Sequence, residues 1–313
     1  MEILIIVVIC LTILYLLITY FMFVLISRKL SENILPMKKI VEETVKPYSD
    51  IVKKAASWVD SKYKNNEIID VYVKSDDNLK LHASLIENKN AIGTIIEVHG
   101  YRSDARSDLF PSVSEYYNMG YNILLIDQRA SNQSEGKYIT FGIKESKDII
   151  KWVDFINDRY KNKRIILAGI SMGASTILMS AKYITDDMNI KAILVDSGYI
   201  SPYREVLYCI KHYFHMDGIL FIDAINLWCK LFAKYKLNEN DTVSSLSNCN
   251  IPILFAHGLI DDFVPAKNTM INYEKYKGPK RMEIFDEATH GIGFLTETTR
   301  YLNCVKEFLS NID

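Results

Sequence analysis

Short apolar runs alternate along most of this chain with longer stretches of helical spacing. The short runs stand at 68–74, 79–86, 94–98, 122–126, 164–168, 192–195, 252–255 and 282–285, and their length predicts strands. Ser75-Asp76-Asp77-Asn78 is a turn cluster between the first two, which therefore predict an antiparallel hairpin. In the second of them, alternation puts His82 on the polar face. The later runs are short and apolar throughout, as in a sheet covered on both faces. Helical spacing occupies 109–119, 143–159, 174–184, 267–276 and 298–312. The alternation predicts the α/β class, a mostly parallel eight-stranded sheet flanked by helices.

Three segments break this rhythm. Residues 3–26 form a run of 24 positions without a charge, rich in Ile, Leu and Val. About 20 such residues cross a bilayer. The run starts after Met1-Glu2 rather than a basic stretch, is long for a signal peptide, and is followed by no small-x-small cleavage site. We therefore expect a retained single-pass anchor over residues 1–27 and a place at the cell membrane. Arg28, Lys29, Lys38 and Lys39 follow the span, and by the positive-inside tendency they put the rest of the chain in the cytoplasm.

Residues 28–66 read as a helical connector. Ile34, Met37, Ile40, Val41 and Val45 recur at helical spacing, Pro36 suits a first turn, Pro47 ends the segment, and 51–63 forms a second helix. Such a connector packs on the domain, lies at the membrane surface or is solvated. The third break, 198–250, is too long for a simple crossover. It holds Tyr199, Tyr203, Tyr208, Tyr213, Phe214, Phe221, Trp228, Phe232 and Tyr235. Most of these are expected to pack the insertion's own helices. Residues 219–222 with Leu227, Trp228, Leu231 and Phe232 are also a candidate bilayer contact.

Composition narrows the function. The 313 residues are 49% hydrophobic, enough for one sizeable domain. A net charge of −1 offers no basic field for nucleic acid. Neither a phosphate-cradling G-x-x-x-x-G-K-S loop nor a dinucleotide fingerprint is present. The five cysteines are odd in number and widely spaced, which favours a reducing compartment over a disulfide framework.

The chemistry centres on Gly169-Ile170-Ser171-Met172-Gly173, a G-x-S-x-G pattern with a strand before it and a helix after it. Such a turn lifts the serine hydroxyl clear of the sheet, at the positive end of a helix. Two later strand ends supply partners. The run 252–255 leads into Ala256-His257-Gly258-Leu259-Ile260-Asp261-Asp262-Phe263-Val264-Pro265, and 282–285 leads into Glu287-Ala288-Thr289-His290-Gly291. A carboxylate at the first loop can orient an imidazole from the second over Ser171. Local sequence does not separate Asp261 from Asp262. His99 and His257 each precede a glycine at a strand end and read as loop anchors. His212 and His215, spaced i, i+3, lack the further ligands a metal site needs.

With these motifs, residues 67–313 resemble the α/β-hydrolases, in the branch near serine aminopeptidases and small-acyl esterases. Val98-His99-Gly100-Tyr101, Asp127-Gln128-Arg129, Gly136, Phe141-Gly142, the elbow, the H-G-x-x-D-D-x-V-P stretch and Ala288-Thr289-His290 carry the resemblance. It implies Ser171 as nucleophile, His290 as base and the first aspartate of the pair, Asp261, as the acid. It also implies an oxyanion hole from the N–H groups of Met172 and Tyr101, a lid at 198–250, and no metal or organic cofactor. One departure is Arg129-Ala130-Ser131-Asn132, where the family often has Arg-Gly-His-Gly. The expected activity is cleavage of a hydrophobic or small acyl ester. Peptidase or amidase action on a short peptide is the alternative, with Glu135, Glu145 or Glu205 as candidate recognisers of a free amino group. Acyl transfer to an alcohol, and a non-enzymatic membrane-tethered binding protein, are further readings. Oligomeric state is not legible.

Overall fold

The computed structural model describes residues 1–30, 43–161 and 163–312. Eight strands form one sheet in the order β1-β2-β4-β3-β5-β6-β7-β8. They are β1 Ile68–Lys74, β2 Lys80–Ile86, β3 Gly93–Val98, β4 Tyr121–Ile126, β5 Arg164–Ile170, β6 Ile190–Asp196, β7 Ile253–Gly258 and β8 Lys280–Phe285. β1 and β2 are antiparallel, β2 is antiparallel to β4, and the remaining pairs are parallel. Each expected strand is present, and the hairpin of the first two is as read. β3 lies between β4 and β5, so the chain leaves it first to one side and then to the other. That reversal opens a crevice at the carboxyl ends of β3 and β5.

The helices are α1 Glu2–Ser27, α2 Ser49–Lys64, α3 Ala105–Asn118, α4 Glu145–Arg159, α5 Met172–Ser180, α6 Pro202–Phe214, α7 Ile219–Trp228, α8 Thr242–Ser245, α9 Lys267–Lys275, α10 Gly293–Thr296 and α11 Thr298–Ser310. On one sheet face Trp152 and Ile156 of α4 and Ile177 of α5 pack on Ile96, Leu124 and Leu167. On the other, Val113 of α3 and Phe308 of α11 pack on Ile95, Ile123 and Ile166. Consecutive strand residues thus enter opposite cores, which is why these strands are apolar without alternation.

One expectation fails at β2. His82 is not on a solvated polar face but only 1% exposed. The loop 127–134 closes over this face of β2, with Asp127 and Gln133 at the ring, Ser134 at the His82 N–H and Tyr72 of β1 beside the ring. The ring meets Asp127 at 2.6 Å through Nδ1 and Asp70 at 3.0 Å through Nε2. Burial works against its charge, yet the hydrogen bonds it donates to the two carboxylates win and raise its pKa.

α1 is apolar on all sides. Its first part stands clear of the domain, with Leu4, Leu11 and Leu17 at least 60% exposed. Its last third sinks into the fold, where Thr19, Phe23 and Ser27 are buried. Trp228 Nε1 donates to Thr19 Oγ1 at 3.0 Å, and Ser27 Oγ meets Tyr235 Oη at 2.9 Å. The last carbonyls of a helix lack partners within it. Here Tyr101 Oη donates to Ile26 O at 2.7 Å, and an Arg102 Nη donates to Leu25 O at 2.6 Å and to Arg28 O at 3.0 Å. The chain then bonds Lys29 N to Lys137 O and Ile139 N to Ser27 O.

Beyond it, the helical spacing of Ile34, Met37, Ile40 and Val41 lies outside the described residues. Pro47 stands in the short turn Lys46–Tyr48. α2 packs on the domain, with Val59 buried and the Trp58 ring 5.2 Å from that of Tyr117. The insertion after β6 holds α6, α7, a π-helical turn Cys229–Ala233, and α8.

Candidate active site

The turn from β5 into α5 forces Ser171 into a left-handed backbone, φ 55° and ψ −121°. Non-glycine residues rarely hold such a conformation, and where they do the surroundings must impose it. Two packing facts impose it here. Ser171 N donates to Asp196 O of β6 at 2.8 Å. A Cβ on Gly173 would lie 2.0 Å from Val98 O and 2.7 Å from His99 O, so α5 starts hard against the end of β3. Only glycine permits that approach. It brings Met172, the first residue of α5, beside the loop that carries His99, Gly100 and Tyr101.

Ser171 Oγ lies 2.8 Å from His290 Nε2, and His290 Nδ1 lies 2.7 Å from Asp261 Oδ2. His290 sits on the loop after β8 and Asp261 on the loop after β7. These loops touch because a Cβ on Gly258 would fall 2.3 Å from Ala288 O. Asp261 is buried, whereas its neighbour Asp262 is exposed and offers only its backbone carbonyl, to Tyr208 Oη at 2.8 Å. The structure thus brings Ser171, His290 and Asp261 into one hydrogen-bonded chain and leaves the Asp262 side chain out of it. The edge of Phe263 meets the His290 ring, centroids 5.0 Å apart.

Asp261 has more partners than sequence reading foresaw. Its Oδ1 accepts from the N–H groups of Val264 at 2.8 Å and Phe263 at 3.0 Å. Its Oδ2 also meets His257 Nε2 at 3.1 Å. That nitrogen carries its hydrogen, since it lies 2.8 Å from the Val264 carbonyl, which only accepts. His257 Nδ1 is anchored by Thr269 Oγ1 at 2.7 Å. Burial pushes the Asp261 pKa up, but the bonds from His257 and His290 outweigh it and hold the carboxyl well below the usual range. His257 anchors its loop, as its place before a glycine suggested, and also supports the carboxylate. The spacing His257–Asp261, four residues across a strand end, was the only sequence signal of this.

The loop with the departure from the family pattern keeps a demanding backbone. Ala130 takes φ 60° and Asn132 φ 36°. Asn132 is held by Asp127 at 2.9 Å, and Ser131 Oγ donates to Ser103 O at 2.6 Å. His99 accepts from Gln128 N at Nε2 and anchors the same rim.

Aromatics of the insertion 198–250 pack beyond its own helices as well. Tyr235, Trp228 and Phe221 belong to the apolar cluster that also holds Met172, Phe141 and Phe23. Of the three candidate amine recognisers, Glu135 accepts from Lys80 N and Glu145 from Thr140 N and Gly142 N, both structural roles. Glu205 differs. It lies on α6 with no ion pair among the described residues, takes a long contact from Cys209 Sγ at 3.6 Å and feels the charge of Asp261. Burial pushes its pKa up to about 8. No group of three or more His, Cys, Asp or Glu among the described residues could hold a metal ion.

The sequence profile of the X-Pro dipeptidyl-peptidase family (S15) matches residues 46–226. The uncharacterized protein YqkD of Bacillus subtilis is 26% identical over 221 residues, 70% of this chain and 72% of that protein. The uncharacterized protein YfhR of Salmonella typhi is 25% identical over 71% of this chain and 72% of its own length. Among solved structures, the Pyrococcus furiosus esterase Pf2001 superposes with a TM-score of 0.63 at 26% identity, covering 79% of this chain and 91% of the esterase. The acylaminoacyl peptidase of Pyrococcus horikoshii shares the fold at 18% identity, TM-score 0.58, over 79% of this chain and 41% of its own. With an eight-stranded α/β-hydrolase sheet and a family match across more than half of its length, the chain belongs to the S15 peptidase family and is a serine hydrolase of the esterase or peptidase type.

Proposed function

We propose that this serine hydrolase is anchored in a membrane by α1 and cleaves carboxylic esters of hydrophobic or small acyl groups, with Ser171, His290 and Asp261 as its triad. The observation that carries the reading is the bonded chain from Ser171 Oγ through His290 to Asp261 beneath an apolar lid. His290 Nε2 takes the Ser171 proton as Oγ attacks the carbonyl carbon. Asp261, held ionised, stabilises the imidazolium that forms. The N–H groups of Met172 and Tyr101 receive the oxyanion, a contribution of ~3 kcal/mol for each donor. Collapse breaks the ester C–O bond, and His290 returns the proton to the departing alkoxide. Water then attacks the acyl-enzyme, giving its proton to His290, and Ser171 is restored.

The domain reading follows: residues 1–27 as anchor, 28–66 as connector and 67–313 as catalytic domain with its lid at 198–250. Burial of Thr19, Phe23 and Ser27 supports a retained helix, since a cleaved leader would take part of the fold with it. Arg28 and Lys29 support a cytoplasmic catalytic domain.

Glu205 favours a second reading, cleavage of aminoacyl amides. A buried carboxyl near the site without a cation suits a substrate's free amino group. The test is hydrolysis by the full chain in detergent of p-nitrophenyl acyl esters and aminoacyl p-nitroanilides, beside Ser171→Ala and His290→Ala. Ester cleavage lost in both variants supports the main reading. Amide cleavage that Glu205→Gln removes would move the peptidase reading ahead, and no turnover of either series would reject both.

A further inference from the structure

The lid meets α1 from Tyr15 to Phe23. Tyr15 Oη donates to Leu220 O at 2.5 Å, and the Tyr15 ring lies 6.1 Å from that of Phe221. Further along, Tyr20 meets Trp228 edge-on at 5.5 Å, and Phe23 stacks on Phe232 at 6.0 Å. Position 15 pairs with 220–221, 20 with 228, and 23 with 232, so α7 and the turn after it run parallel to α1. The domain grips the other end of α1, at Ser27. Tyr15 is twelve residues above that grip, or ~18 Å at 1.5 Å per residue. A hydrocarbon core is ~30 Å thick. An α1 that spans it carries Tyr15, and with it the start of α7, well inside the lipid.

The polarity of α7 is reversed for a helix facing water. Its outward side chains are mostly apolar: Ile219 is 68% exposed, Leu220 64% and Leu227 48%, followed by Leu231 and Phe232 on the next turn, with Asp223 and Lys230 the exposed charged residues among them. Its polar groups are tied back to the domain. Asn226 Oδ1 accepts from Leu237 N at 2.7 Å, and Tyr203 Oη donates to Asp223 at 3.1 Å. A surface helix of a protein in water normally shows the opposite arrangement. Behind α7, Ile222 and Ile225 belong to the apolar cluster that reaches Met172 beside the nucleophile.

We propose that α7 and the turn Cys229–Ala233 are immersed in the same lipid leaflet as the adjoining half of α1. The lid is then a membrane-inserted element, and the hydrolase receives its acyl substrate from the bilayer rather than from water. The partner is a phospholipid surface, and the inference rests on the reading of α1 as a membrane span.

The experiment uses the full chain in phosphatidylcholine vesicles, with a polarity-sensitive fluorophore on one cysteine at a time. Cys10, exposed on α1, reports the span. Leu220→Cys and, independently, Ile219→Cys, each in a Cys10→Ser background, report the lid. Ile92→Cys in the same Cys10→Ser background, 49% exposed just before β3 at the opposite end of the sheet, is the aqueous control. Phosphatidylcholine brominated on its acyl chains is the quencher. The expected result is loss of emission at 219 and 220 comparable with that at 10, and none at 92. Quenching at 10 without quenching at 219 or 220 overturns the lid inference and leaves the span standing. Absence of quenching at 10 overturns the span, and the inference with it. Neither readout depends on activity, so both are separable from failure of the ester-hydrolase reading.

Discussion

His257 Nε2 points at the same oxygen of Asp261, Oδ2, that receives the ring of His290. The carboxylate is therefore fixed from behind by one histidine while it orients another. In the proposed triad His257 touches no reacting atom, which makes it a positioning residue. His257→Phe is expected to lower kcat roughly tenfold, the equivalent of losing ~1.4 kcal/mol from a charge-assisted hydrogen bond. The acid limb of the kcat/KM profile should move with it, because Asp261 loses a donor that favours its ionised form. A fall in stability with an unmoved pH profile would assign His257 to loop packing alone.

Asp261 and Asp262 are adjacent in sequence and opposite in environment. Asp261→Asn should reduce kcat by about 10⁴, as when a triad carboxylate is neutralised in place. Asp262→Asn, whose side chain is exposed, should leave kcat within about twofold, since surface substitutions away from such features change little. Steady-state rates on one p-nitrophenyl ester decide the matter. Comparable losses in both variants would contradict the assignment.

Gly173 tests the elbow. Its would-be Cβ meets backbone, not a movable side chain, 2.0 Å away. Gly173→Ala should destabilise the fold by ~3 kcal/mol, the upper end for overpacking, and abolish activity even where folded protein is recovered. Thermal unfolding and titration with a serine-reactive fluorophosphonate measure the two effects separately.

Glu97 of β3 gives a pH dependence. Its Oε1 has no hydrogen-bond partner among the described residues, and burial pushes its pKa up to about 8 from an ordinary 4.5. The folded value lies above the unfolded one. The neutral carboxyl's contribution is therefore complete below about pH 4.5 and is lost as pH rises through 8. Glu97→Gln cannot ionise, so its Tm should fall less than that of wild type between pH 6 and pH 9. Parallel Tm curves would show that Glu97 ionises as easily folded as unfolded.

The strands were legible because inner parallel strands are apolar on both faces, and 94–98 or 164–168 read plainly against their polar surroundings. The order of Ser171, the D-D pair and His290 was legible because each stands just past a strand end, where the crevice of this sheet lies. The burial of His82 was missed because alternation shows which residues are polar, not whether a loop such as 127–134 folds over them. The partnership of His257 with Asp261 depends on how a loop closes after β7, and no periodicity encodes that. The choice within the D-D pair needed the same loop. In α1 the difficulty was different: a helix apolar all round shows no stripe to reveal that Thr19, Phe23 and Ser27 are covered by protein while Leu17 is not.

That covered third of α1 decides where this chain can be cut. Removing the whole apolar run would strip Phe23 from Phe232, Thr19 from Trp228 and Ser27 from Tyr235. It would also strand the Tyr101 hydroxyl and the Arg102 guanidinium, which now close the helix end. The fragment would carry an open apolar trough running to the mouth of its own active site, prone to self-association and to filling by detergent. A boundary drawn by hydropathy thus passes through the enzyme; the one drawn by packing falls before Tyr15.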